Sequence, residues 1–113
     1  MTARLGSKLL IQALIRRTEA EGGFATVLHK GDNIAGSIII QTFDPNRDIR
    51  LFERYPDFAK GYALMPIAAE YCSDSNSLAQ YIDRRIKSDP DLWIVELDVA
   101  NAEQLADSIL TGN

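Results

Sequence analysis

The sequence predicts an α+β fold: an antiparallel sheet of four to five strands, two main helices packed on one face of it, and a short C-terminal helix. Three observations carry that expectation. Apolar residues recur at helical spacing over Ser7–Ala20 and again over Leu78–Lys87. Between the two the period falls to two, in segments rich in β-branched and aromatic residues. Short polar links carrying Gly, Pro, Asn or Asp separate these segments, as tight connections require. The chain of 113 residues fits one domain, 1–113. At this size roughly two-thirds of the unfolded chain's surface can be buried, so one core can hold the fold without disulfides.

In the first helix Leu10, Ile11, Leu14 and Ile15 form one arc, while Gln12, Arg16 and Glu19 form the polar stripe. Gly22-Gly23 stops it by offering the left-handed backbone of a helix end. Phe24–His29 reads as a strand and Lys30-Gly31-Asp32-Asn33 as a hairpin turn. Ile34–Phe43 follows, and Ile38-Ile39-Ile40, apolar on both faces, marks an interior strand. After the turn at Asp44-Pro45-Asn46, Asp48–Arg54 alternates Ile49 and Leu51 against Arg50. Three strands joined by short turns predict an antiparallel meander.

Tyr55–Gly61 reads as a loop, and Pro66 restricts Tyr62–Ala69 to an edge strand or an irregular segment. The polar run Ser73–Ser77 supplies an N-cap for the second helix, which Asp89-Pro90 ends. Leu92–Leu97 is the other strongly apolar strand, expected to be central with Trp93 buried. Asn101 with Gln104 suggests a capping-box variant opening the last helix.

Taken in order, several strings resemble a known family. They are Arg16-Arg17 before Glu19–Ala25, Lys30-Gly31-Asp32 with Ala35-Gly36, Tyr81-Ile82 with Arg84-Arg85, and Asp89–Trp93 with Ile94-Val95-Glu96. Together they resemble the small bacterial family catalogued as domain of unknown function 1491, over about Leu5–Leu97. The tail after Asp98 and the segment Tyr55–Asp74 look less typical of it. The resemblance implies a bacterial cytoplasmic protein of one domain and carries no mechanism with it.

Composition narrows the chemistry. Twelve basic and sixteen acidic side chains give a net charge of −4, which argues against a general phosphate-backbone binder and against nucleic acid as a partner. Tyr55, Phe58 and Tyr62 with Arg54 and Lys60 have the residue types of a base-stacking loop. Loop anchoring onto the sheet is the commoner use of such aromatics. A single cysteine, Cys72, forbids an intramolecular disulfide, and no apolar run is long enough to span a bilayer, so the expected location is the cytoplasm. His29 and Cys72 together are too few to build a structural zinc site, and no cofactor is expected. His29 itself reads as a solvated turn residue. The glycines match neither a phosphate loop nor a dinucleotide fingerprint.

Arginines are the most informative feature. Arg85 falls within the apolar arc of Leu78, Ile82 and Ile86, whereas Arg84 points away with Asp83 and Lys87. Arg17 falls between Ala13 and Leu10 on the first helix. A buried guanidinium needs an acidic partner, and Glu96, Asp89 and Asp91 are the candidates. Structural ion pairing is the first reading of this set; an anion site built on Arg17, Arg85, Glu96 and Asp89 is the second. Two functions remain open. One is a non-enzymatic module that binds a protein partner or itself, as a homodimer. The other is a small enzyme or ligand-binding protein for an anionic ligand, such as a nucleotide, using Arg17, Arg85 and Glu96.

Overall fold

The computed structural model describes residues 5–112. In chain order the elements are α1 (Ser7–Ala20), β1 (Phe24–His29), β2 (Ile38–Phe43), β3 (Ile49–Asp57), β4 (Gly61–Pro66), α2 (Ser75–Ser88), β5 (Trp93–Asp98) and α3 (Ala102–Leu110). A 3-10 turn over Ala69–Cys72 precedes α2. The class is α+β with one mostly antiparallel sheet of five strands, in the order β1-β5-β2-β3-β4.

That order corrects the expected meander. β2, β3 and β4 do form one, but β5 is inserted between β1 and β2, antiparallel to the first and parallel to the second. Burial explains the insertion. Trp93, Ile94, Val95 and Leu97 are buried on both sides of β5, which only an interior position allows, whereas β1 has no fully buried residue and tolerates an edge. Lys30–Asn33 is therefore not a hairpin turn. It opens a connection that passes over the start of β5, where the Asp32 amide donates to the Asp91 carbonyl at 2.9 Å. Gly31 and Gly36 lie against the Asp91 backbone so closely that a Cβ at either would collide with its carbonyl oxygen.

The helices also divide differently. α1 and α3 pack on one face, where Leu10, Ile11, Leu14, Leu105 and Ala106 meet Ile38, Ile40, Trp93, Val95 and Leu97. α2 covers the opposite face, with Leu78, Tyr81, Ile82 and Ile86 over Ile39, Leu51, Leu92 and Ile94. So α1 and α2 do not share a face. A central strand apolar on both sides leaves one face wet unless helices cover each, and Ile38-Ile39-Ile40 forces that solution. Trp93 is buried as expected, and its indole N–H donates to the Asp32 carbonyl at 2.6 Å.

Local details follow residue chemistry. Asp74 caps α2 by accepting the Ser77 amide at 2.7 Å, which holds its carboxyl below the usual range. Asn101 precedes α3 in the left-handed region at φ 56°, without a side-chain cap, so the expected capping box is not formed. β3 continues through Pro56 to Asp57, shortening the expected loop to Phe58–Lys60. Gly61–Pro66 is the outer strand of the β3–β4 hairpin, and its terminal proline suits an edge.

Candidate functional site

β3 delivers the acid that the sequence reading missed. In its Ile49, Leu51 phase the next residue is Glu53, carried onto the α2 face beside Ile39. α2 presents Arg85 to the same place. The guanidinium donates through one terminal nitrogen to Glu53 Oε1 at 2.7 Å and through the other to Oε2 at 2.6 Å, a two-pronged pair. The Tyr55 hydroxyl donates to Glu53 Oε1 at 3.1 Å, and Arg85 donates further to the Tyr81 hydroxyl at 2.8 Å. Tyr71 lies against Tyr81 with ring centroids 4.6 Å apart. The Glu53 side chain is 6% exposed and that of Arg85 25%. Glu53 raises the guanidinium pKa against the opposing effect of burial, while burial first, and then the Glu53 charge, raise that of the Tyr55 hydroxyl.

Arg85 is thus an inward-facing arginine, as its wheel position predicts, but its partner is neither Glu96 nor Asp89. Glu96 lies on β5 beside Gln41, whose amide donates to it at 2.9 Å. Asp89 ends α2, and its carboxylate accepts the Asp91 amide at 3.2 Å. Arg17 is exposed on α1, in the layer on the other side of the sheet from Arg85; Thr18 and Leu14 take the buried positions of that helix instead. The fold does not bring Arg17, Arg85, Glu96 and Asp89 together. Charge count and helical spacing could not pair Arg85 correctly; the strand period narrows the acids to Glu53 and Glu96, each in phase with apolar residues of the α2 face, and the packing of α2 over β3 selects Glu53. His29 is likewise not a solvated turn residue. Its Nδ1 donates to the Leu92 carbonyl at 2.6 Å beside a bulge at the end of β1.

Nor do the loop aromatics form one stacking platform. Tyr62 takes the Arg54 guanidinium over its ring at 3.5 Å, Tyr55 belongs to the α2 face, and Phe58 projects fully exposed from the turn. An open cleft of about 1110 Å³ lies along α3 and the ends of β2 and β3. Its floor is Phe52 and Leu64, and its rim mixes Arg47 and Arg50 with Asp44, Asp98, Glu103 and Asp107. Arg47 is already bound to both oxygens of Asp98, at 2.8 and 3.2 Å.

The remaining feature is the β1 edge. Phe24 is 74% exposed, Leu28 47% and Val27 39%, on a strand that, among the described residues, pairs with β5 along one side only. Phe24-Ala25-Thr26-Val27-Leu28 carries no charge and no proline, the usual means of blunting a sheet edge. Among the described residues the bulge near Val27 and His29 is the sole such device, and it lies at the strand's end.

No curated protein matches the chain. The family described as "Protein of unknown function (DUF1491)" matches residues 5–107, so the resemblance extends beyond Asp98 into α3. Three solved structures are similar. The solution structure of Atu0922 from A. tumefaciens is 28% identical, with 91% of this chain and 92% of that one covered and a TM-score of 0.74. A crystal structure of a DUF1491 family protein from Caulobacter crescentus CB15 is 30% identical over 90% and 94% of the two chains, at a TM-score of 0.75. An NMR structure, also of a DUF1491 family protein from that organism, is 29% identical over 92% and 94%, also at 0.75. With nearly its whole length matched and the same fold as solved members, this chain belongs to the DUF1491 family.

Proposed function

We propose that the chain is a non-enzymatic protein-binding module that works through the β1 edge, where an extended strand from a partner or from a second copy adds to the sheet. The observation that carries this reading is the exposed, uncharged, largely apolar run Phe24–Leu28 on a strand that has no neighbouring strand along one side among the described residues. Main-chain pairing supplies affinity in such additions, and the side chains of alternate residues supply selectivity. The two sheet edges differ in the expected way. β4 ends in Pro66, which cannot donate to a further strand, while every residue of β1 keeps its N–H.

The competing reading, an anionic-ligand site on Arg17, Arg85 and Glu96, has less support. Arg85 already spends both terminal nitrogens on Glu53, and Arg17 lies across the sheet from it. Phe24→Lys tests the binding reading, because it places charge on the edge without removing a buried group. Cross-linking in native lysate, read by mass spectrometry, should recover with the wild type a partner or a second copy that Phe24→Lys loses. The same recovered set from both proteins overturns the reading.

A further inference from the structure

We infer that the strand added to β1 is β1 of a second copy, paired antiparallel about a twofold axis that passes through Thr26. This rests on the binding reading above and names its partner. The geometry follows from the pleat. A twofold normal to the sheet keeps each face on its own side, so residues that oppose each other must project from the same face. Their numbers then share a parity, and the axis must pass through a residue facing its own copy. Ala25, Thr26 and Val27 are the three interior choices in the regular part of β1.

The choices differ in what they cover. An axis at Ala25 sets Leu28 opposite Gly22 of the second copy, leaving its apolar side chain unmatched. An axis at Val27 sets Phe24 opposite Lys30, placing the most exposed aromatic of the strand against a charge. An axis at Thr26 sets Phe24 against Leu28 and Ala25 against Val27, each twice, so all three exposed apolar residues of the edge meet apolar partners. Bulge residue Leu28 lies at the margin of that match.

Charge supports the same axis. The strand is entered past Glu19 and Glu21 and left through Lys30, all exposed. Antiparallel pairing turns the second copy end for end. With the axis at Thr26, Lys30 of one copy, just past the bulge, arrives at the end of the strand where Glu21 of the other enters, and the twofold repeats the match at the far end. An edge that is acidic at one end, apolar in its middle and basic at the other is complementary to itself in this orientation. The product is one continuous sheet of ten strands, twice the five of each copy, with α1 of both copies on one face.

The test uses the purified full-length chain. Light scattering should report about twice the 12.6 kDa chain mass, and Phe24→Lys should weaken association ~100-fold or more, as loss of an interface anchor does on both sides of a twofold. Glu21→Lys or Lys30→Glu alone should weaken it ~3–10-fold, and the two together should restore it. In a Cys72→Ser background, Thr26→Cys should form an intermolecular disulfide on mild oxidation, because directly opposed residues fall within disulfide reach. Ala25→Cys should not. Cross-linking by Ala25→Cys but not Thr26→Cys overturns the Thr26 axis. A wild type that stays monomeric at every concentration while Phe24→Lys still loses a partner from lysate overturns self-pairing and leaves edge binding standing. A monomer whose lysate partners ignore Phe24→Lys overturns both.

Discussion

The two faces of the sheet are built on different principles. On the α1/α3 face, Leu10, Leu14, Ile38, Ile40, Trp93, Val95, Leu97, Leu105 and Leu110 close a dry apolar core. The α2 face has a smaller apolar set and carries the half-buried polar pairs, Glu53 with Arg85 and Gln41 with Glu96. Apolar packing holds whatever fits, and its strength follows the area removed from water. A two-pronged ion pair constrains direction as well: α2 must lie where the Arg85 fork meets both Glu53 oxygens. The comparison teaches that one face supplies most of the cohesion, while the other spends part of its buried area fixing α2 over β3. Stability measurements can separate these roles.

The largest effect belongs to the dry face. Trp93→Ala removes the biggest side chain of β5 and leaves the Asp32 carbonyl without its indole donor, so it should cost about 3–5 kcal/mol. Chemical denaturation measures the loss, and wild-type tryptophan fluorescence should have the blue-shifted maximum of a buried indole. An emission maximum typical of water-exposed tryptophan would remove Trp93 from the core.

Next comes the polar face. Arg85→Ala leaves the Glu53 carboxylate buried with the Tyr55 hydroxyl as its remaining donor, and should cost about 3 kcal/mol. Glu53→Ala should cost a similar amount by stranding the guanidinium. Replacing both together, Glu53→Leu with Arg85→Met, removes the desolvation burden along with the attraction and should fall within about 1 kcal/mol of wild type. Such a double variant that is as damaged as either single would show that the pair adds cohesion rather than direction.

Legibility in the sequence divides along the same line. Periodicity located α1, α2 and β5 because burial of one apolar stripe or strand is a local property, readable from spacing alone. It also gave the inward turn of Arg85, since a helical wheel needs no tertiary information. Strand order was not readable. The parallel pairing of β2 with β5 is made only after two hairpins and a long crossover through α2, and Lys30–Asn33 has the composition of a hairpin whether or not one forms. Helix placement was readable and misread: Ile38-Ile39-Ile40, apolar in both phases, already demands cover on two faces. The partner of Arg85 was missed for a similar reason. Glu53 follows Ile49 and Leu51 in phase, but Glu96 follows Leu92 and Ile94 in the same way, and spacing alone does not choose between the two acids. Arg17 shows the limit of a wheel. Near the border of an arc, which neighbour packs there decides burial, and in α1 the buried stripe runs through Ser7, Leu10, Ile11, Leu14 and Thr18.

Arg84 supplies the smallest effect and the control for the others. It is the chain neighbour of Arg85, of the same type and in the same helix, so helix propensity and net charge change identically when either is replaced by alanine. What differs is surroundings. Arg84 is exposed, and its guanidinium lies 5.7 Å from the Tyr71 ring centre and 5.8 Å from that of Tyr81. These separations are at the outer limit of cation–π attraction, which at exposed sites is worth about 0.5–1 kcal/mol at best geometry. Arg84→Ala should therefore lower stability by no more than about 0.5 kcal/mol, against about 3 kcal/mol for Arg85→Ala. Thermal melts of the two variants run side by side give the contrast directly. A loss for Arg84→Ala equal to that for Arg85→Ala would mean that the tyrosine pair, rather than Glu53, is what fixes α2 on its face of the sheet.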